Sequence, residues 1–138
     1  MINMIDKKII DLLGKNGRMS AIEMSKVLKV SKGTVRNRLI GLYKENIILG
    51  YNARIRYKML GMDEALVGFE IAPESYMKAL TAIKGLDFVK EVYRTSGDHA
   101  AMALVIANTD QMDKIIEDLQ AIDGVRKVYP SFVQEIIK

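Results

Sequence analysis

The chain has 138 residues, of which 49% are hydrophobic and 28% charged, a composition typical of a soluble globular protein of one medium or two small domains. It has no cysteine, which excludes a disulfide framework and a thiolate metal site. No apolar run is long enough to span a bilayer and no signal-peptide core opens the chain, so the expected location is the cytoplasm. The net charge of +4 hides a split. Residues 1–60 carry 13 Lys+Arg against 4 Asp+Glu, a net of +9, whereas residues 61–138 carry 8 against 13, a net of −5. A basic module suited to a polyanion therefore stands beside an acidic module with another task.

In chain order, Ile5, Ile9, Leu12 and Leu13 share one face of a helix expected over Ile5–Lys15. Asn16-Gly17 supplies a stop tolerant of positive φ. The second helix has a strong start: Ser20 and Glu23 form a capping box, with Met19 and Met24 as its hydrophobic staple. Ala21, Met24 and Leu28 make its buried stripe. Ser31 caps a third helix, with Val30 and Val35 in the staple positions and Val35, Leu39 and Leu42 facing the core.

Two short capped helices joined by a tight turn, the second carrying basic residues outward, form the pattern of a helix-turn-helix. Such a unit lays its second helix in the DNA major groove. At about 100° per residue, the side of the third helix opposite its core stripe carries Gly33, Asn37, Ile40 and Lys44, with Thr34 and Arg36 on the flanks. Arg38 projects closer to the apolar side. Ser31, Lys32, Gly33 and Thr34 lie at the helix N-terminus, where amide groups and the helix dipole favour a phosphate. Arg36 and Asn37 are the candidates for base edges, since Arg pairs bidentately with guanine and Asn with adenine. Arg18, Arg38 and Lys44 are candidate phosphate contacts, which position without specifying.

Asn46 ends the third helix. Ile47 to Tyr57 alternates with period two, which predicts a strand, either a wing or a linker, with Arg54 and Arg56 on its other face. Those two arginines either touch the DNA backbone or are simply solvated. The expected domains are residues 1–50 for DNA binding, 51–62 as linker strand and 63–138 as a second domain.

The acidic half is an internal duplication. Shifted by 36 residues, Leu86–Tyr93 falls on Ile122–Tyr129, Ala65-Leu66 on Ala101-Met102, and Phe69 on Val105. Each copy reads strand, helix, strand: 65–72, 74–83 and 89–96, then 101–108, 111–119 and 125–136. Thr109-Asp110 is the expected cap of the last helix. Two such units give β-α-β-β-α-β, the ferredoxin-like arrangement of a four-stranded antiparallel sheet with two helices on one face. The fold class is thus α+β. The other sheet face, holding residues drawn from Val125, Tyr129 and Val133 or their neighbours, is left uncovered and suits a homodimer stacked sheet to sheet. Pro130 must sit on an edge or at a bulge. Between the copies, Thr95-Ser96-Gly97-Asp98-His99 is either a turn whose aspartate caps its own backbone or part of a small-ligand site.

Ile5-Asp6, Asn16-Gly17-Arg18-Met19-Ser20, Glu23-Met24-Ser25, Ser31, Val35, Arg38-Leu39, Leu42 and Ile47–Tyr51, followed by Val89–Asp98 and Ile122–Val125, resemble the Lrp/AsnC family in order and spacing. The resemblance implies an N-terminal winged helix-turn-helix, a C-terminal ligand-sensing (RAM) domain, dimers that often assemble to octamers, and an amino acid as effector. It places the effector near Ser96-Gly97-Asp98, making Thr95, Ser96, Gly97, Asp98, His99 and Ser131 the candidate effector contacts. The chain departs from the family where His99-Ala100-Ala101 follows that turn. The function this implies is a sequence-specific transcriptional regulator acting on double-stranded DNA, with a palindromic operator. The alternatives are an architectural DNA binder without a ligand and a sirohaem-decarboxylase-like enzyme. The second half has one histidine and few basic groups for a tetrapyrrole, and no metal cluster, phosphate loop or nucleophile–base pair is seen. No metal, cofactor or enzymatic activity is expected.

Overall fold

A computed structural model describes residues 1–138, which divide into two compact units, Met1–Arg54 and Ile55–Lys138. The first contains α1 (Met4–Lys15), α2 (Ala21–Leu28) and α3 (Lys32–Lys44). Its core is small: Ile9, Met24, Val35 and Leu42 are buried, and Ile5, Leu12, Leu13, Leu28 and Leu39 pack around them. These are the positions that helical periodicity selects. The Ser20–Glu23 capping box forms in both directions, at 3.2 and 3.1 Å. Ser31 caps α3, its Oγ accepting from the Thr34 N–H at 3.0 Å. A further capping box, unforeseen in the sequence, starts α1: Asn3 and Asp6 each accept from the other's N–H at 2.8 Å.

Two local expectations need correction here. Asn16, the residue that closes α1, is extended at φ −147°, and Gly17 has no positive φ, so that stop uses ordinary backbone. The left-handed residues of this unit are instead Lys29, closing α2, and Asn46, just past α3, both at φ 57°. The strand expected over Ile47–Tyr57 does not form. Residues 47–56 join no sheet, and Tyr57–Leu60 is a turn of 3₁₀ helix. Alternation sorts side chains between two faces, but a strand also needs a neighbour to take up its N–H and C=O groups.

The second unit contains β1 (Met62–Ile71), α4 (Tyr76–Lys84), β2 (Val89–Arg94), β3 (Ala101–Asn108), α5 (Met112–Gln120) and β4 (Val125–Phe132). The sheet order is β2-β3-β1-β4 with every pairing antiparallel, the ferredoxin-like topology. One face buries Ala65, Val67, Phe69 and Ile71 of β1 and Ala101, Ala103, Val105 and Ala107 of β3 against Ala79, Ile83, Ile115 and Leu119 of the two helices. Pro130 lies on β4, an edge strand, where its missing N–H leaves no ladder bond unmade. Thr109-Asp110 does not cap α5. It belongs to a short 3₁₀ turn, and the Thr109 hydroxyl donates instead to the Gly61 carbonyl. The last strand ends at Phe132, shorter than its hydrophobic run.

The opposite sheet face is uncovered. The registers Gly68↔Tyr129, Gly68↔Met102 and Tyr93↔Met102 place these four residues on it, together with Leu66, Leu104 and Ser131. Leu66 and Tyr93 are about half exposed, at 48% and 54%. Val125, by contrast, packs against the helix-side core.

Candidate DNA interface and effector site

The α2–α3 hairpin presents its basic residues as the helical arithmetic expects. Arg18, Lys32, Gly33, Arg36, Asn37 and Lys44 are exposed, and Thr34 is half buried. At the N-terminus of α3 the Ser31 hydroxyl contacts the Thr34 hydroxyl at 2.8 Å and takes up the Thr34 amide. Ser31 and Thr34 therefore satisfy each other, while the amides of Lys32 and Gly33 are among the first-turn N–H groups that an α-helix leaves without an intrahelical partner. Ile40 and Tyr43 add exposed apolar surface to the same helix, at 55% and 56%.

Arg38 reaches a carboxylate on α1. Its Nε donates to Asp6 Oδ1 at 2.6 Å and its Nη2 to Asp6 Oδ2 at 2.7 Å, while the Asp6 side chain is completely buried. The hydrogen bond from Arg38 holds the Asp6 carboxyl below its ordinary value, against the opposing effect of burial. Arg38 is thus paired inside the unit, with 30% of its side chain exposed. Sequence reading missed Asp6 because the partners lie 32 residues apart and share no local period.

In the second unit the loop between β2 and β3 spans residues 95–100, longer than a two-residue hairpin turn. The Thr95 hydroxyl donates to the His99 carbonyl at 2.7 Å and the Thr95 N–H to the Ala100 carbonyl at 3.2 Å, closing the loop on itself. Gly97 takes φ 105°, a conformation that strains any side chain. Asp98 is exposed and does not cap the backbone, so its carboxylate is open to solvent.

His99 turns back onto the uncovered sheet face. Its ring lies against Gly68, where a Cβ would stand 2.6 Å from the ring carbons, and its centroid is 4.9 Å from that of Tyr129. Its Nδ1 is buried without a hydrogen-bond partner. Tyr76 supports the loop from behind, its hydroxyl donating to the Ala100 carbonyl while Arg94 lies over its ring at 5.3 Å. Ser131 sits two residues beyond Tyr129 on the same strand face. The structure thus gathers His99, Gly68, Tyr129 and Ser131 on one surface, with Thr95, Ser96, Gly97 and Asp98 at its rim. Gly68 was missed in the sequence, although a glycine inside an apolar strand is a known sign of close approach, and Tyr129, a candidate for the uncovered face, was not placed beside His99. A separate cavity of about 110 Å³ lies between residues 56–58 and 133–136 and touches none of these residues. No group of three or more His, Asp or Glu side chains is placed to hold a metal.

A basic helix-turn-helix unit and a ferredoxin-like unit with a polar loop at its open face define a two-part, DNA-binding regulatory protein. Family comparison agrees over nearly the whole length: residues 2–40 match the AsnC-type helix-turn-helix domain and residues 64–138 the Lrp/AsnC ligand binding domain. The transcriptional regulator LrpA of Pyrococcus abyssi is 36% identical over the full length of both chains. LrpA1 of Halobacterium salinarum is 37% identical over 96% of each. The same fold occurs in a Neisseria meningitidis transcriptional regulator solved as a complex with L-methionine (TM-score 0.77, 21% identity, covering 100% of this chain and 93% of that one). The chain belongs to the Lrp/AsnC family of helix-turn-helix transcriptional regulators. Its relatives are regulators, not enzymes, which leaves the decarboxylase alternative without support. No helix is long and apolar enough to cross a membrane.

Proposed function

We propose that the chain dimerises through its uncovered sheet face and presents two α3 helices to a palindromic DNA operator, under control of an amino acid bound around Thr95–His99 and Ser131. The exposed row of Lys32, Arg36 and Asn37 on a doubly capped hairpin carries the DNA part of this reading. Arg36 and Asn37 read bases. Lys32 and the amides of Lys32 and Gly33 take one phosphate, and Arg18 and Lys44 take others. Arg38 leaves the set of DNA contacts and becomes internal.

The apolar strip of Leu66, Tyr93, Met102 and Leu104 suits a second copy, because a soluble chain rarely leaves such a strip to water. Two-fold pairing of the sheets gives two-fold pairing of the DNA-reading helices, which requires symmetric half-sites. Further assembly of dimers to octamers would bring their 95–99 loops together. An α-amino acid suits that loop for a chemical reason: the Asp98 carboxylate can hold an ammonium group, while Ser96 and Ser131 hydroxyls and loop amides can hold a carboxylate. The L-methionine complex of the Neisseria meningitidis relative supports this class of ligand.

Selection of bound duplexes from a random pool, with and without each amino acid, tests both parts. The expected outcome is an inverted-repeat consensus whose recovery changes with one class of amino acid. Recovery of sequences without consensus would favour the architectural alternative instead.

A further inference from the structure

We propose that the Asp6–Arg38 ion pair is the positioning device of the recognition helix: it sets the rotation of α3 about its own axis, and with it the aim of Arg36 and Asn37. The inference rests on the DNA-reading role proposed for α3. The core under α3 is small and apolar, with Val35 and Leu42 buried and Leu39 half buried. The hydrophobic effect is itself non-directional, and few α3 side chains enter this core. A rotation of about 20° would carry a side-chain base on the helix surface, about 5–6 Å from the axis, through roughly 2 Å. A base-edge hydrogen bond tolerates only a few tenths of an ångström. Base readout therefore needs the rotation of α3 held to well under about 20°.

The ion pair supplies direction. A carboxylate and a guanidinium joined by two bonds, here 2.6 and 2.7 Å, fix distance and plane together. The anchor is itself held, since Asp6 Oδ2 also accepts the Asn3 N–H at 2.8 Å within the capping box of α1. Asp6 is fully buried, whereas Arg38 keeps 30% of its side chain exposed. The arginine thus reaches in from the flank of α3 to a fixed point on α1. Arg38 lies about 100° from Asn37 and about 160° from Arg36 around the helix. Holding Arg38 inward keeps both of those side chains outward. The pair is also neutral as a unit, so it offers no net charge to displace counterions from DNA.

Charge-neutral variants of the full-length chain test this. Asp6→Asn/Arg38→Gln removes both charges and leaves the net charge unchanged, and Arg38→Lys keeps the charge but loses the planar fork. Binding to the selected operator and to a random duplex is measured across a salt series, well below each variant's unfolding transition. The operator-over-random preference is expected to fall at least tenfold in both variants, with the salt slope on random DNA unchanged. A slope reduced by about one with the preference intact would make Arg38 a phosphate contact and overturn the inference. A preference and slope both unaltered would make the pair merely structural and overturn it as well. If the double variant fails to fold, Arg38→Lys, which keeps the charge but loses the planar fork, decides by the operator-over-random preference alone. The unaltered chain runs in parallel: no operator preference there defeats the reading of α3 itself, whereas a preference retained in the variants defeats only the positioning role.

Discussion

Gly68→Ala displaces His99 without disturbing the sheet, which makes it the most direct test of the effector site. The added Cβ would stand 2.6 Å from His99 Cγ and Cδ2 and 2.8 Å from Nε2. Relaxed carbon–carbon contact is about 3.5–4.0 Å, so the ring must withdraw by about 1 Å. Gly68 has no positive φ and pairs on both sides within the sheet, so alanine fits its backbone. Losing the ring contact with Tyr129 costs about 0.5–1.5 kcal/mol. Restricting the unfolded chain by replacing glycine offsets about 0.4–1 kcal/mol of that. The net loss of at most about 1 kcal/mol should therefore move the Tm of this unit by no more than about 6 °C. Effector affinity should nonetheless drop about tenfold, the equivalent of one hydrogen bond of about 1.4 kcal/mol. Calorimetric titration with amino acids measures the affinity, and the His99 ring resonances report its displacement. A displaced ring with unchanged affinity would remove His99 from the effector site. A ring that has not moved would refute the packing argument itself.

Ser20→Ala and Ser31→Ala should each destabilise the N-terminal unit by about 1 kcal/mol, read as loss of its helical signal at lower denaturant. Arg36→Ala should cost about 1–3 kcal/mol of discrimination at one base pair of each half-site, whereas Lys32→Ala should weaken all duplexes alike and reduce the salt slope by about one. Asp6 has a folded-state pKa below its ordinary 3.8, chiefly through the Arg38 hydrogen bond, so its contribution to stability is present above that value and is lost as pH falls through the lowered one. Unfolding of the N-terminal unit followed from pH 6 to pH 2 should show that acid-limb loss, and Asp6→Asn should flatten it.

Features written in adjacent residues were legible, and those made by distant ones were not. Ser20–Glu23 and Ser31 announce helix starts because a cap is a contact over three residues. The 36-residue repeat disclosed the ferredoxin-like topology because duplicated strands and helices keep their apolar periods. Alternation at Ile47–Tyr57 misled because it carries no information about a pairing partner. The Asp6 partner of Arg38 was hidden for a related reason: an arginine at the edge of an apolar stripe can serve a phosphate or a buried carboxylate. Only the fold reveals that Asp6 lies beneath it. Thr109-Asp110 has cap chemistry, but the chain spends a 3₁₀ turn there before α5 begins.

The duplication also explains where the second unit carries its polar site. At the repeat spacing Gly68 corresponds to Leu104, and His99 to Glu135. Two perfect copies would place a bulky apolar side chain at both strand positions and leave no room for a ring over either. The chain breaks symmetry at one of them. Gly68 vacates the space, and the 95–100 loop, tied by Thr95 and supported by Tyr76, turns His99 into it. The equivalent stretch after β4 is the extended C-terminal segment, whose Val133 N–H donates to the Glu64 carbonyl instead. Tyr93 and Tyr129 are repeat equivalents on the same open face, but only Tyr129 meets a histidine, while the Tyr93 hydroxyl donates to Glu91 at 2.6 Å. The fold needs both copies alike to close its sheet and core. The proposed ligand site needs one of them to differ, and the difference is concentrated at Gly68 and His99. Restoring the symmetry with Gly68→Leu would fill that space outright and should abolish effector binding while leaving the helix-side core, built from Phe69 and its neighbours, untouched.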